Sequence, residues 1–260
     1  MPEESINYDR AADFYDATRA YPDGIAEEVA AFIVQKALLK SDTNILEIGI
    51  GTGRVAVPLS AHVGSITGID ISSKMLAKIH EKQASAPIQI AEASAENIPF
   101  AARTFKHVLV SHILHLVSDP QAVLSEISRV LKRPAQLIHI RGFRDNPPKF
   151  EVVADEWRKH RKLGKKSVFE RASSNDFFLP SDWFKIEEHR FTYPTKENPK
   201  YFLDAIKNRW WSTMWAMSEP ELEIAYLAVE RVIKEQFGDD YDSEVEFTAG
   251  IVLQVFLPKK

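Results

Sequence analysis

The sequence predicts an α/β fold in which a mostly parallel sheet is covered by helices on both faces. Short apolar segments alternate with amphipathic helical patterns, as is typical of parallel strands joined by crossover helices. The predicted strands are Ile45–Ile48, Ser65–Ile69, Ile88–Ala91, His107–Val110 and Leu137–Ile140. Because such sheets bind ligands at the carboxyl ends of their strands, the residues after these segments are the first candidates for a functional site.

The chain before the first strand is predicted to form an arm and then a helix. Residues 1–22 make up the predicted N-terminal arm, in which Tyr8, Phe14 and Tyr15 are spaced like one face of a short helix. A turn at Pro22-Asp23-Gly24 follows. The sheet-forming core is then predicted to cover residues 23–141.

Helices are predicted in the core wherever apolar residues recur every three or four positions. Met75, Leu76 and Ile79 give residues 72–83 one apolar face. Ser118-Asp119-Pro120-Gln121 has a capping-box pattern with a proline near the first turn, which is a strong helix start. Both helices fall between predicted strands, as crossover helices must.

The last hundred or so residues are predicted to supply the final strands of the sheet, with helical insertions between them that form a cap. Residues 184–194 and 243–258 have strand patterns, whereas residues 142–183 and 195–240 are the predicted cap segments. The second cap segment contains a predicted helix over 201–217 and another that starts at a capping box after Ser218.

Composition narrows the class of protein. The 260 residues are 45% hydrophobic and 27% charged, which is ordinary for a soluble globular protein. The net charge of -4 argues against nucleic acid as the main partner. There is no cysteine, so a disulfide or a zinc–thiolate site is excluded, and no metal site is predicted. No segment approaches the ~20 apolar residues of a membrane span, so a cytoplasmic protein is expected. We also expect a monomer or a homodimer.

The residues at the end of the first strand form the most specific motif. Asn44 to Arg54 read NILEIGIGTGR, so Glu47 is followed by glycines at every second position, 49, 51 and 53. A dinucleotide fingerprint, G-x-G-x-x-G, would need its third glycine at Arg54. Glu47 would also repel a pyrophosphate, by about 4 kcal/mol for unit charges about 4 Å apart at an effective dielectric near 20. A cationic ligand is favoured instead.

This motif resembles motif I of the class I S-adenosylmethionine (AdoMet)-dependent methyltransferases, and further matches follow in order. Asp70 ends the second strand, where a carboxylate can accept hydrogen bonds from ribose hydroxyls or, alternatively, cap the next helix. Residues 95–100, AENIPF, resemble the adenine-contacting motif, although Ser94 stands where the family usually has aspartate. The resemblance covers about residues 8–141 and is best for the UbiE-like, type 11 group.

The resemblance implies a Rossmann-like, seven-stranded sheet with the last strand antiparallel, and it implies how AdoMet is held. Glu47 to Gly53 would bind the methionine moiety, and Ser94 and Ala95 would lie at the adenine. Ile71 and Met75 are candidates to cover an adenine face, with core packing as the alternative for Met75. The cofactor-binding candidates are Arg19, Glu47, Gly49, Gly51, Gly53, Asp70, Ile71, Met75, Ser94, Ala95, Ser111 and His112.

Two of these assignments concern the transferred methyl group and the carboxylate of AdoMet. The backbone at Ser111 and His112, after the fourth strand, would face the transferred methyl group. Arg19, in the arm, would pair with the carboxylate of AdoMet, as a guanidinium does well. The alternative is that Arg19 is an ordinary solvent-exposed arginine.

The residues that would bind or activate the methyl acceptor are less clearly marked in the sequence. His112 and His115 are the candidate bases, because they follow the fourth strand and have a suitable pKa, although a packing role is the alternative. Trp211 and Trp215 are candidates to line an apolar acceptor pocket, with cap packing or a dimer interface as the alternative.

The sequence therefore predicts an AdoMet-dependent methyltransferase that acts on a small, partly apolar molecule through an oxygen, nitrogen or carbon nucleophile. An RNA methyltransferase and a catalytically silent AdoMet-binding protein remain as alternatives. A nicotinamide dehydrogenase is disfavoured by Arg54 and Glu47.

Overall fold

The computed structural model describes residues 5–82, 88–160 and 183–259. The chain divides into two compact units. In the described residues, the first unit comprises residues up to 142 together with 183–191 and 251–259, and the second comprises 143–160 and 192–250. The boundaries between the units fall within the last three strands.

The described residues form a seven-stranded sheet. Its strands are β1 (Asn44–Ile48), β2 (Ser65–Asp70), β3 (Ile88–Glu92), β4 (Phe105–Ser111), β5 (Leu131–Asp145), β6 (Trp183–Glu197) and β7 (Val245–Pro258). The strand order is β3-β2-β1-β4-β5-β7-β6. The predicted mostly parallel, Rossmann-like sheet is confirmed.

Parallel pairing gathers several strand ends at one edge of the sheet. β1 pairs in parallel with β2 and with β4, β2 with β3, and β4 with β5. The register aligns Ile48 with Ile69 on one side and with Val110 on the other. The residues that follow β1, β2 and β4 therefore meet at one edge, as the sequence predicted.

Helices cover both faces of the sheet in the first unit. The helices of this unit are α1 (Tyr15–Arg19), α2 (Ile25–Lys36), α3 (Ala56–Ser60), α4 (Ser73–Lys82) and α5 (Pro120–Val130). One buried cluster joins Ile45 and Leu109 to residues of α2, α3 and α4. A second cluster joins Leu46 and Val108 to α5. Adjacent residues of one strand thus enter opposite cores, which explains why these strands are apolar throughout.

The second unit has its own helical core. It contains α6 (Pro148–His160), α7 (Lys200–Lys207) and α8 (Glu219–Phe237). Buried residues from all three helices form a cluster that includes Trp157, Ile206 and Val229. The capping box predicted at Ser218 is present, with Glu221 as its reciprocal partner.

Some predicted element boundaries are wrong. The helix predicted over 201–217 ends at Lys207, because Arg209 adopts a left-handed φ of 51° and a separate 3₁₀ turn follows at Ser212–Met214. The guanidinium of Arg209 donates to the carbonyl of Met217 (2.9 Å), which holds this break in place.

The late strands also differ in length from their predictions. β6 extends to Glu197 rather than 194, and β5 extends to Asp145. Residues 161–182 of the first predicted cap segment lie outside the described residues.

Candidate active site

The glycine loop after β1 is held in a conformation that favours glycine. Gly49, Gly51 and Gly53 have φ values of 69°, 56° and 77°, a region in which a Cβ atom is strained. A Cβ on Gly49 would lie 2.4 Å from Cδ1 of Ile113, whereas one on Gly51 would meet Cε of Met75 at 3.4 Å. Packing therefore requires a glycine at position 49, whereas the lack of a side chain at Gly51 leaves the backbone of the loop uncovered.

Asp70 fixes the glycine loop to the start of α4. Its Oδ2 accepts a hydrogen bond from the backbone N–H of Gly51 (2.9 Å), and its Oδ1 accepts one from that of Ser72 (2.9 Å). The helix itself is capped by Ser72, whose Oγ accepts from the N–H of Met75 (3.1 Å). Burial raises the pKa of Asp70, and the two backbone donors oppose this shift. Asp70 is thus a preorganised acceptor beside the loop.

Glu47 is a buried carboxyl group at the centre of the site. Its side chain is 2% exposed, and Oε2 has no hydrogen-bond partner among residues 5–82, 88–160 and 183–259. Burial raises the pKa of Glu47 to about 8; the charge of Arg54 opposes this shift and that of Asp70 adds to it. An unpartnered buried carboxyl oxygen is unfavourable unless a ligand pairs with it.

The raised pKa of Glu47 predicts a pH dependence of stability. The native state keeps this proton up to a pH of about 8, whereas the unfolded chain releases it near the ordinary value of 4.5. The native state therefore binds more protons in this window, and stability falls as pH rises through it. In Glu47→Gln the same position is neutral at every pH. Urea unfolding at several pH values should show the wild type losing up to about 1.4 kcal/mol per pH unit relative to the variant.

His115 and His139 act on stability in the opposite direction, so the comparison must be a difference between wild type and variant. Burial lowers the pKa of each to about 4, which removes stability as pH falls from 6.5 towards 4. Both proteins contain these histidines, so their contribution cancels in the difference. Parallel stability curves for wild type and Glu47→Gln between pH 5 and 8 would contradict the prediction.

The residues expected at an adenine lie around the ends of β2 and β3. The carbonyl of Ile71 accepts from Nδ2 of Asn7 (3.3 Å) in the arm. Met75 is buried beside the glycine loop, and Ala95 is buried in the second cluster. Oγ of Ser94 accepts from the N–H of Glu96 (3.1 Å), so it shapes its own turn.

The N-terminal arm contacts the glycine loop through polar groups. Asp16 accepts from Oγ1 of Thr52 (2.7 Å) and forms an ion pair with Lys82 (2.6 Å). Nη1 of Arg54 donates to the carbonyl of Arg19 (3.0 Å). The guanidinium of Arg19 itself lies 5.3 Å from the ring centre of Tyr15 and donates to Thr18. The structure thus brings Arg19 to the loop through its backbone.

A small cavity of about 30 Å³ lies beside the glycine loop. It is lined by Tyr15, Glu47, Gly49, Ile50, Gly51, Thr52, Arg54, Val55, Ser111 and His112. The candidates from the loop and from the end of β4 therefore meet at one place.

The end of β4 supplies the acceptor-side candidates. Oγ of Ser111 is buried and has no hydrogen-bond partner within the described part of the chain. His112 has a left-handed φ of 55°, and its N–H donates to the carbonyl of Ile140 (3.4 Å). Burial lowers the pKa of His112 well below 6.5 and that of His115 to about 4. Both histidines are neutral at physiological pH.

Sequence reasoning missed several polar residues around the site. Asp16, Thr52 and Lys82 connect the arm to the loop, and His139 and Gln254 form a part-buried contact between β5 and β7. Polar residues inside otherwise apolar strands were the available signal for His139 and Gln254. No local pattern marked the arm contacts.

Trp211 and Trp215 belong to the second unit. Trp211 packs against Trp157, with ring centres 5.6 Å apart, and against Phe202 at 5.7 Å. The indole N–H of Trp215 donates to the carbonyl of Arg209 (2.9 Å). Both tryptophans are half-buried, and Trp211 packs against the core of this unit.

Within residues 5–82, 88–160 and 183–259, no group of three or more histidine, aspartate or glutamate side chains is arranged to hold a metal ion. None of the helices in these ranges is long and apolar enough to cross a membrane.

The strand order, the glycine loop after β1 and the acid at the end of β2 are together features of a Rossmann-like fold. Residues 46–138 match the model of the family described as "Methyltransferase domain". This part of the chain is therefore similar to that methyltransferase family.

Relatives that match the chain include two named methyltransferases. A phosphatidylethanolamine N-methyltransferase of Cereibacter sphaeroides is 32% identical over 130 residues, which is 48% of this chain and 64% of that protein. A demethylmenaquinone methyltransferase of Thermotoga maritima is 33% identical over 147 residues, or 55% and 63% of the two chains. The chain thus covers less than two thirds of either relative.

Solved structures share the fold over most of the chain. The YcgJ protein of Bacillus subtilis has a TM-score of 0.56 at 15% identity and covers 90% of this chain and 99% of its own. A putative type II methyltransferase of Anaeromyxobacter dehalogenans has a TM-score of 0.60 at 13% identity, with coverages of 91% and 96%. At these identities the likeness concerns the fold.

Proposed function

We propose that this protein transfers the methyl group of AdoMet to a small, partly apolar molecule. The observation that carries the proposal is the buried, unpartnered Oε2 of Glu47 beside the bare backbone of Gly51 and the preorganised carboxylate of Asp70. A cationic nucleoside matches all three groups. A dinucleotide does not, because its pyrophosphate would lie beside Glu47.

The residues of the site fit AdoMet part by part. Glu47 would pair with the ammonium and sulfonium end, and binding would favour its ionised form. Asp70 would keep its two backbone donors and accept from the ribose hydroxyls with its remaining lone pairs. Gly51 leaves the backbone open to the ligand. Ile71, Met75, Ser94 and Ala95 would surround the adenine, and Arg19 would approach the carboxylate once the arm moves.

Methyl transfer from AdoMet requires the protein mainly to orient the two reactants and to exclude water. Bound AdoMet supplies an electrophilic methyl group. The backbone of Ser111 and His112 would face that group, and Oγ of Ser111 is a buried polar atom available to the acceptor. Holding the two reactants in line in a site without bulk water provides most of the acceleration.

The acceptor class rests on charge, on the relatives and on the predicted cap. The net charge of -4 disfavours RNA. The two named relatives act, by name, on a lipid amine and on a quinone, which are both partly apolar molecules.

We assign the arm to residues 1–22, the cofactor core to 23–141, the cap to 142–183 and 195–240, and Trp211 and Trp215 to the acceptor pocket. A cytoplasmic monomer or homodimer completes the proposal.

Calorimetric titration with AdoMet, S-adenosylhomocysteine and NADH tests the cofactor. We expect micromolar binding of the first two and no binding of NADH, because only the first two avoid a pyrophosphate beside Glu47. Absence of AdoMet binding by a folded protein would overturn the proposal. Binding without turnover of any acceptor would favour the silent AdoMet-binding alternative, and tight RNA binding with steep salt dependence would favour an RNA substrate.

A further inference from the structure

A second cavity, of about 320 Å³, lies at the edge of the sheet opposite the glycine loop, and its volume is within the range of small-molecule sites. Asn44 begins β1, and Lys106 and Lys132 are the second residues of β4 and β5; all three line the cavity. Because these strands are parallel, their first residues share one edge, and the AdoMet candidates occupy the other. The two edges are about 15 Å apart along the five residues of β1.

The pairing of β4 with β5 is interrupted at this cavity. One residue of β4, Lys106, faces four residues of β5, 132–135, because the register shifts between Phe105 and His107. Interruptions of this kind re-aim side chains and are frequent beside functional sites. Lys132 and Lys106, which lie on the two sides of the interruption, both line the cavity.

The lining of the cavity has an excess of positive charge. Among the described residues it includes three lysines, Lys40, Lys106 and Lys132, and one acidic residue, Asp42. None of the three ammonium groups forms an ion pair within the described part of the chain. A cleft lined mainly by charges of one sign concentrates ions of the opposite sign. The cavity therefore favours an anionic ligand.

The neutral polar groups of the lining are compatible with an anion. Oδ1 of Asn44 accepts from Oγ of Ser65 (2.9 Å), so the amide NH₂ of Asn44 is left to donate to a ligand. Burial lowers the pKa of His107; the bond to Gln136 opposes this shift and the charge of Lys106 adds to it. His107 is therefore neutral at physiological pH, and the lysines carry the positive charge of the lining.

Leu38 adds an apolar surface to the same cavity. It follows the end of α2 with a left-handed φ of 52° and is 73% exposed. The N–H of Leu39 donates to the carbonyl of Val34 (3.0 Å), which is the bond of a Schellman motif. Glycine is the usual residue before this N–H, because a Cβ is strained there. A leucine gains little burial from the protein at this position, so its side chain is available to an apolar part of a ligand.

We propose that this cavity binds a small organic phosphate. The phosphate group would lie among Lys40, Lys106 and Lys132, and its apolar substituent would contact Leu38. A phosphate monoester carries a charge of about −1.5 to −2 at pH 7 and has three strong acceptor oxygens. Both properties match the excess charge and the ammonium donors of the lining. Asp42 would accept from a hydroxyl group of the ligand.

Titration calorimetry of the full chain with phenyl phosphate, inorganic phosphate and succinate tests the class of ligand. We expect a Kd below about 1 mM for phenyl phosphate, several-fold weaker binding of inorganic phosphate, and no measurable binding of succinate. Inorganic phosphate lacks the apolar group, and succinate is a dianion that lacks the phosphate. No binding of phenyl phosphate at about 10 mM, or equally tight binding of succinate, would overturn the proposal.

Substitutions of single lysines locate the site. Lys106→Met and Lys132→Met keep the length of the side chain and remove its charge, so each should weaken the binding of phenyl phosphate about tenfold. Lys207→Met is the matched control, because it replaces an exposed lysine of α7 that does not line the cavity. Its affinity should stay within about twofold of the wild type. If the first two variants bind no more weakly than the control, the proposal is wrong.

Leu38→Gly tests the apolar contact without endangering the fold. Glycine relieves the left-handed backbone at this position, so thermal unfolding should show a Tm no lower than that of the wild type. Phenyl phosphate should bind about threefold more weakly, whereas inorganic phosphate should bind as before. Equal affinity of wild type and variant for phenyl phosphate would contradict the apolar part of the proposal.

NMR signals of the imidazoles show at which edge of the sheet the probe binds. We expect phenyl phosphate to shift the signals of His107, which lines the cavity, and to leave those of His115, beyond the end of β4, unchanged. A shift at His115 alone would place the probe at the other edge and would refute the proposal. These experiments need neither AdoMet nor an acceptor, so a failure of the proposed function leaves their outcome unaffected.

Discussion

Gly51→Val should abolish measurable AdoMet binding and leave the fold intact, a loss on the order of 100-fold or more in affinity. Gly51 has a φ of 56°, and a Cβ there would meet only Cε of Met75, at 3.4 Å. The protein can accommodate that contact, with backbone strain of about 1–2 kcal/mol. The branched side chain would, however, occupy the surface on which we place the ligand.

Calorimetric titration and thermal unfolding of the same preparation measure the two parts of this prediction. Gly24→Val is the matched control, because Gly24 has a φ of 78° but nothing within 4 Å of its Cβ position. It should lose similar stability and keep full AdoMet affinity. Gly49→Val should instead unfold the protein, since its Cβ would lie 2.4 Å from Ile113. Unchanged AdoMet affinity in Gly51→Val would refute the loop assignment.

Asp70→Ala should weaken AdoMet binding by about 1–3 kcal/mol and lower the free energy of unfolding by a similar amount. Binding weakens because the ribose would lose a charged acceptor. Stability falls because the N–H groups of Gly51 and Ser72 would lose theirs. The two effects are measured by titration calorimetry and urea unfolding.

Asp119→Ala separates these effects. Asp119 also accepts from two backbone N–H groups, those of Gln121 and Ala122, at the start of α5. Its replacement should therefore lower stability by about 1 kcal/mol without changing AdoMet affinity. If Asp70→Ala loses stability but binds AdoMet as tightly as the wild type, Asp70 has only a structural role.

The sheet and the glycine loop could be predicted because they depend on local signals. Strands with both faces buried must be apolar along their whole length, so the strands before residue 141 are distinct in sequence. The loop is visible because left-handed φ values at close spacing require glycines.

Other features could not be predicted because distant residues determine them. His139 and Gln254 are 115 positions apart, and Gln254 and Glu188 are 66 apart, so only the pairing of β5, β7 and β6 brings them together. The break after Lys207 depends on Arg209, a residue type that rarely adopts a left-handed φ, and is held by contacts around Met217. Helical periodicity alone could not reveal it.

The contacts that attach α1 to the first unit affect how fast the cofactor and its product bind and dissociate. None of its residues is buried, and it contacts the glycine loop through the Asp16–Thr52 and Asp16–Lys82 pairs and the Arg54 bond to Arg19. Ionic and hydrogen-bonding contacts of this kind are weakened by salt, which screens exposed charges. Cofactor exchange should therefore accelerate with ionic strength while global stability hardly changes.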